Sequence, residues 1–345
     1  MISRRKFLQL TGATVVSLAA STAYTDLFHH PLPYLDENRR TEKRVYGSNL
    51  YELHPARAVA ALENDEESVK IFDSLIDLLE DSLNSAYEYK SREDYLVNTV
   101  LEYSRRFSRK TATRKEINVI NNGILLPRII GLRDIIKQLT QFAFYSLEGR
   151  HDTYLGIGNE RFAIPESYFP TLKSYESKTK ALRISRSSED NAKRLVANTI
   201  YNLSANIKHI IDVASEENVL LNILLGIATL ESLGNQYSVG VVGEVGMFQI
   251  RPDVSELVAR KYSDKFQLSS PQEALENIVR YPDLNARFAA ILLNECKVDY
   301  PEIALAYHKG LTKFKSLDEE SRRNHWYVEK FCKVYNVLEE RAYLS

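Results

Sequence analysis

Hydrophobic residues recur at helical spacing along most of the chain from about residue 58 onward. Ile71, Leu75 and Leu78 lie three or four positions apart with acidic residues between them, which predicts an amphipathic helix. The same spacing predicts further helices over residues 95–106, 114–120, 128–145, 196–211 and 216–231. No strand-like alternation of any length appears, so the predicted fold class is all-α.

Two stretches interrupt this periodicity. Residues 24–60 contain three prolines and a charged run from Asp36 to Arg44, which predicts an extended leader or linker. Residues 149–192 are rich in glycine, proline, serine and lysine, which indicates a surface connection. We therefore predict an N-terminal helical region over residues 61–190 and a second domain over residues 191–345.

The first residues resemble a twin-arginine export signal. Arg4 and Arg5 precede a mildly apolar stretch from Leu10 to Ala20, which ends in small residues. That stretch is too short to span a bilayer core of roughly 30 Å, so an integral membrane protein is not expected. We predict a signal peptide over residues 1–23 and a mature protein in the periplasm or cell-wall space.

The charge balance argues against a nucleic-acid partner. The net charge is −1, and removal of residues 1–23 takes away three basic residues and no acidic residue, which gives −1 − 3 = −4. Binding to phosphates normally needs a dense basic face.

The seven histidines are scattered without metal-ligand spacing, so neither a metal nor a cofactor is expected. Cys296 and Cys332 could pair in an oxidising compartment or remain free thiols.

One carboxylate occupies a costly position. The apolar helix predicted over residues 216–231 ends at Glu231, where an ionised carboxylate loses hydration and meets the negative end of the helix dipole. Both effects favour the protonated acid, which a general acid requires. Four of the 13 glycines follow directly, at Gly234, Gly240, Gly243 and Gly246. Such clustering indicates backbone that turns tightly or approaches another group closely.

Four elements in sequence resemble the soluble lytic transglycosylase domain, which has a lysozyme-like fold. The first is Glu231-Ser232 at the helix end, and the second is the Gly-Glu-Val-Gly-Met-Phe-Gln-Ile-Arg-Pro run at residues 243–252. The third lies at residues 285–293 and the fourth, Ile-Ala-Leu-Ala-Tyr-His-Lys-Gly, at residues 303–310. The resemblance covers roughly residues 195–320.

Three positions depart from the family pattern. Phe248 stands where the family usually has methionine, Leu292 where it has tyrosine, and His308 where it has asparagine. The two later departures leave both the level of activity and the details of sugar binding open.

The resemblance implies cleavage of the β-1,4 bond between N-acetylmuramic acid and N-acetylglucosamine in peptidoglycan, with 1,6-anhydromuramoyl ends as product. Glu231 would act as acid and then as base, with no second carboxylate. Hydrogen bonds from Ser232, Gln249 and Asn285 would hold sugar or order the loop, while Phe248 and Tyr307 would wall the cleft. The predicted substrate-binding residues are Ser232, Met247, Phe248, Gln249, Asn285, Tyr307 and His308.

Three alternatives stay open at this point. The chain could bind glycan as a scaffold without cutting it, or it could be a muramidase like goose-type lysozyme, with Glu244 as a second acid-base group. It could also be an exported helical interaction protein whose motifs match by chance. Residues 61–190 could contact a cell-envelope or secretion-machine partner.

Overall fold

The computed structural model describes residues 42–43, 51–82, 86–129, 131, 141–147, 153–157, 160–266 and 270–344. The predicted signal peptide, residues 1–23, lies outside the described residues, as do positions 24–41 and 44–50 of the predicted leader. The chain divides into two compact units, one of Met1–Tyr51 with Gln141–Pro170 and one of Glu52–Thr140 with Thr171–Ser345. The sequence predicts a division near residue 190 instead.

The smaller unit contains an antiparallel sheet that the hydrophobic pattern does not predict. The strands are β1 (Glu42–Lys43), β2 (Tyr51–Glu52), β3 (Gln141–Leu147), β4 (Thr153–Ile157) and β5 (Glu160–Ala163). Strands β1, β3, β4 and β5 are neighbours in that order. The helix predicted over residues 128–145 is therefore wrong at its end, because the aromatic residues Phe142, Phe144 and Tyr145 favour a strand and Tyr145 pairs with Tyr154.

The larger unit begins with helices that lie between strands β2 and β3 in sequence. They are α1 (Leu53–Leu62), α2 (Glu66–Ser82), α3 (Ala86–Arg109) and α4 (Arg114–Asn118), followed by a π-helical turn at Val119–Leu125. Helix α1 begins inside the segment predicted as a leader. Pro55 lies in the first turn of α1, where a missing N–H costs no hydrogen bond.

The remaining helices follow the sheet. They are α5 (Phe169–Ser185), α6 (Asn191–Leu203), α7 (Ile207–Glu216), α8 (Leu221–Ser232), α9 (Pro252–Lys261), α10 (Ser263–Phe266), α11 (Pro271–Arg280), α12 (Pro282–Cys296), α13 (Glu302–Lys309), α14 (Leu311–Lys315), α15 (Glu319–Arg323) and α16 (Trp326–Glu339). Short 3₁₀ turns occur at Glu166–Tyr168 and Ala342–Leu344. The helix predicted over 196–211 is two helices, since the chain turns between α6 and α7.

Helix α8 lies at the centre of the larger unit and packs against α6, α7 and α16. Its residues from Ile223 to Thr229 are buried. A side chain at Gly226 would come within 2.7 Å of the Phe331 ring, so this glycine permits the close approach of α16. The dominance of helices in this unit confirms the all-α prediction. Among the described residues, no helix has the length and apolar content needed to cross a membrane.

Candidate functional site

The predicted acid, Glu231, lies in the last turn of α8. The helix ends directly after it, because Leu233 takes a left-handed conformation with φ 57° and the Gly234 N–H donates to the Ala228 carbonyl at 3.0 Å. The Glu231 side chain is 15% exposed. The carboxyl group is thus held at the edge of the core with one side open.

Two aromatic side chains contact the same oxygen of Glu231. Tyr327 Oη donates to Glu231 Oε1 at 2.6 Å, and His308 Nδ1 lies 3.2 Å from the same atom. The His308 and Tyr327 rings stack, with centroids 4.2 Å apart and an interplanar angle of 14°. No described residue forms a hydrogen bond with Oε2, so one oxygen is fixed and the other is available to a ligand.

Burial keeps both nearby tyrosines protonated. Burial first, and then the charge of Glu231, raises the pKa of Tyr327 and of Tyr307 well above the ordinary value. Tyr327 therefore remains a hydrogen-bond donor to Glu231 throughout the neutral range. Tyr307 does not contact Glu231 in the same way, because its hydroxyl donates to the Phe248 carbonyl at 2.8 Å.

The glycine-rich loop between α8 and α9 is closed by its own backbone. Val245 forms bridges to Val239 and to Ile250. Gly243 and Gly246 have φ values of 85° and 81°, and a side chain at either position would collide with Ser104 backbone or with the Asn285 amide. These two positions require glycine on both grounds. This close packing explains the clustering of glycines in the sequence.

Three of the predicted site residues hold this loop in place. Ser232 Oγ donates to the Met247 carbonyl at 2.7 Å, which joins the end of α8 to the loop. Asn285 Oδ1, on α12, accepts from the Phe248 N–H at 3.0 Å. Gln249 has φ 50°, and its Nε2 donates to the Gly246 carbonyl at 2.8 Å. Each of these hydrogen bonds orders the loop.

The structure corrects the expected roles of Met247 and Phe248. Both side chains are 0% exposed, so neither walls a cleft or reaches a sugar. Asn285 is also 0% exposed, which leaves ordering of the loop as its role. The burial of Met247 and Phe248 follows from the apolar core beneath the loop, since adjacent residues of an irregular loop can both point inward, whereas Asn285 is covered by the loop that it holds. Of the predicted set, Glu231 and His308 are brought into direct contact.

Glu244 is engaged within its own turn. Its Oε2 accepts from the Val242 N–H at 2.8 Å. One oxygen of the Glu244 carboxylate is therefore occupied by a hydrogen bond from the loop backbone. The loop therefore uses Glu244 for its own closure.

The N-terminal helices also support the loop. Ser104 Oγ on α3 donates to the Gly243 carbonyl at 2.6 Å, and the Ala112 N–H donates to the Val241 carbonyl at 2.7 Å. In the π-helical turn, Asn121 donates to the Val239 carbonyl at 2.9 Å and accepts from the Val239 N–H at 3.3 Å. The sequence did not predict this role for residues before 190.

Tyr327 makes the shortest hydrogen bond with Glu231 among the described residues, and the sequence motifs did not predict it. A usable signal was present, because the aromatic run His325-Trp326-Tyr327 opens an amphipathic helix just after the fourth motif.

Cys296 and Cys332 are both free thiols. Within the part of the chain that the structure describes, no group of three potential metal ligands occurs.

Comparison with known families matches residues 208–327 to the transglycosylase SLT domain. The matched segment begins in α7 and ends at Tyr327, so it contains Glu231, the glycine-rich loop and both aromatic contacts of the acid. This match supports the predicted resemblance. A search of curated proteins finds no match to the chain.

Proposed function

We propose that this protein is a lytic transglycosylase that cuts peptidoglycan glycan strands at the bond between N-acetylmuramic acid and N-acetylglucosamine. The observation that carries the proposal is the geometry of Glu231 inside a segment that matches the transglycosylase SLT domain. One carboxyl oxygen is fixed by Tyr327 and His308, and the other has no hydrogen-bond partner among the described residues.

The first chemical step is proton transfer from Glu231 to the glycosidic oxygen. A protonated carboxyl group has one oxygen that accepts hydrogen bonds and one that donates its proton. Because Tyr327 Oη donates to Oε1, Oε2 is the oxygen from which Glu231 would transfer a proton. The bond between C1 of the muramoyl sugar and the bridging oxygen then breaks, and positive charge develops on that sugar.

The second step closes a ring within the substrate. The 6-hydroxyl of the muramoyl sugar attacks C1, and its proton passes to the Glu231 carboxylate, which restores the acid. The product is a 1,6-anhydromuramoyl end, and no water is consumed. A single acid-base group is sufficient for this sequence, in agreement with the engagement of Glu244 by its own loop. The proposal needs no cofactor.

Replacement of Glu231 by glutamine tests this proposal. Glutamine keeps the size of the side chain but cannot transfer the proton, so lysis of purified sacculi should fall by about 10²- to 10⁴-fold. Binding of E231Q to sacculi should persist. Glu244→Gln is the matched control and should retain lysis.

Other outcomes distinguish the competing functions. Binding without lysis by the wild-type protein would indicate a glycan-binding scaffold. Lysis that depends on Glu244 would indicate a muramidase. Equal lysis by the wild type and E231Q would contradict the assigned role of Glu231.

We further propose that the protein is exported by the twin-arginine route and acts in the periplasm or cell-wall space. The support is the Arg4-Arg5 pair before a short apolar stretch. Replacement of both arginines by lysine should retain the protein in the cytoplasm, which fractionation with immunoblotting would measure.

A further inference from the structure

The only tryptophan of the chain is exposed beside the candidate acid. Trp326 is 52% exposed, whereas the next residue, Tyr327, is 2% exposed and bonded to Glu231. A large aromatic side chain contributes most to stability when it is buried. The exposed ring of Trp326 thus leaves apolar surface uncovered next to a residue that contacts the acid.

Trp326 contacts both aromatic residues that touch Glu231. The Trp326 ring lies 5.9 Å from the His308 ring, at 79° to it, and His308 Nδ1 is 3.2 Å from Glu231 Oε1. Tyr327 also meets Trp326 edge-on, at 5.5 Å and 76°. Trp326 is therefore joined to the acid through the His308 and Tyr327 rings, and a glycan strand bound at Glu231 would lie within reach of its exposed ring.

A lysine side chain lies close to the Trp326 ring. Lys330 Nζ lies 5.0 Å from the centroid of the Trp326 ring. By contrast, Lys333 on the same helix forms an ion pair with Glu329 at 2.7 Å. Within the described part of the chain, Lys330 has no carboxylate within ion-pair distance. An aromatic surface with an available ammonium group suits a sugar that carries a carboxylate.

We infer that Trp326 and Lys330 form a sugar-binding subsite next to the acid, where a pyranose ring stacks on the indole and its acidic side arm meets the lysine. The inference rests on the proposed function, and it specifies the substrate as a glycan with carboxylate-bearing sugars. The carboxylate belongs either to the lactyl group of a peptide-free strand or to the stem peptide of a peptide-bearing strand.

Because Trp326 is the only tryptophan, its fluorescence reports directly on this subsite. Full-length E231Q should show a saturable change in tryptophan emission when it is titrated with peptide-free N-acetylglucosamine–N-acetylmuramic acid oligosaccharides. Neutral chitin oligosaccharides of equal length should change the emission too, but with a severalfold higher Kd. A peptide-bearing oligosaccharide shows which carboxylate is preferred, since the preferred source gives the lower Kd.

Variants separate stacking from charge. Trp326→Ala should weaken binding by about tenfold in calorimetry, which corresponds to ~1.4 kcal/mol, and Trp326→Phe should recover part of the loss. Lys330→Gln should remove the preference for the carboxylate-bearing ligand. Matched controls are Lys333→Gln on the same helix and Leu257→Ala, which truncates another exposed apolar side chain.

The two proposals fail in different ways. If the wild-type protein cuts sacculi but bound oligosaccharide leaves Trp326 emission unchanged and Trp326→Ala binds normally, the subsite is wrong and the function stands. If the wild-type protein neither cuts sacculi nor binds either oligosaccharide, the proposed function fails together with the subsite.

Discussion

At the scale of single residues, the site depends on how the hydrogen-bond contacts of Glu231 are distributed between its two carboxyl oxygens. Tyr327 and His308 both contact Oε1, at 2.6 and 3.2 Å. The shorter contact comes from a buried hydroxyl, and the longer one comes from a ring on the exposed side. Tyr327 should consequently contribute more than His308 to holding the carboxyl group.

Removal of the Tyr327 hydroxyl should slow the reaction without weakening substrate binding. A hydrogen bond to a group that becomes charged contributes about 1.5–3 kcal/mol, so Tyr327→Phe should lower kcat by about 10- to 100-fold with KM nearly unchanged. Steady-state kinetics on soluble glycan strands measures both constants.

Tyr335→Phe is the control for this variant, because Tyr335 lies on the same helix but packs against Tyr300 and Phe331. A wild-type kcat for Tyr327→Phe would show that the hydroxyl does not position Glu231.

Glu231 can be recognised from the sequence because the residues of its motif follow each other closely along the chain. Tyr327 and Trp326, by contrast, lie almost a hundred residues further along. Only the fold brings α16 onto α8, through the packing of Phe331 on Gly226. Likewise, the sequence shows that Phe248 is apolar, but it does not show which way a loop side chain points. Contacts of this kind require the tertiary structure.

At the scale of elements, the glycine-rich loop is held from two sides. Ser232 and Asn285 hold it from the C-terminal helices, and Ser104 and Asn121 hold it from the N-terminal ones. The π-helical turn that carries Asn121 is a rare conformation that is often found at functional sites. The N-terminal helices thus form part of the support of the site.

Asn121→Ala should reduce activity as well as stability. The variant loses two hydrogen bonds to Val239, each contributing about 0.5–1.5 kcal/mol. We expect the free energy of unfolding to fall by about 1–2 kcal/mol. We also expect kcat to fall severalfold at temperatures where the protein stays folded. Urea unfolding and kinetics provide the two measurements.

Asn118→Ala is a suitable control, because Asn118 is exposed one turn earlier and makes no capping hydrogen bond. If Asn121→Ala loses stability but keeps its kcat, the turn stabilises the fold without positioning the loop.

Hydrophobic spacing predicts the helices α2, α3, α4, α6, α7 and α8 of the larger unit, and the departures from the predicted bounds have local causes. The helix predicted from residue 216 begins at Leu221, because Asn218 takes a φ of 53° that interrupts the helix. Strand β3 was missed because residues 128–145 were assigned to a single helix, although Phe142, Phe144 and Tyr145 favour a strand. Its partner, β4, follows only a few residues later, so the strand pairing is local.

At the scale of the whole molecule, one partly buried group links folding to pH. His54 on α1 is half-buried, and burial first, then the charge of Arg57, lowers its pKa from 6.5 to about 4. In the unfolded chain this histidine takes up a proton near pH 6.5. The unfolded state therefore binds more protons than the folded state between pH 6.5 and about 4.

The free energy of unfolding should consequently fall as the pH drops through this range. A shift of this size corresponds to about 3 kcal/mol, since each pKa unit contributes about 1.36 kcal/mol. Equilibrium urea unfolding at pH 7.5 and 4.5 would measure the loss. His54→Leu should reduce the difference between the two pH values, while the exposed His209→Gln should leave it unchanged. An equal pH dependence in wild type and His54→Leu would refute this assignment.

The identity of the reaction product distinguishes a lytic transglycosylase from a hydrolase. Purified sacculi are digested with the protein without its first 23 residues, and the released muropeptides are analysed by mass spectrometry. We expect products one water lighter than those of a lysozyme digest, because the 6-hydroxyl of the substrate attacks C1 in place of water. Products with reducing ends would contradict the single-carboxylate mechanism at Glu231.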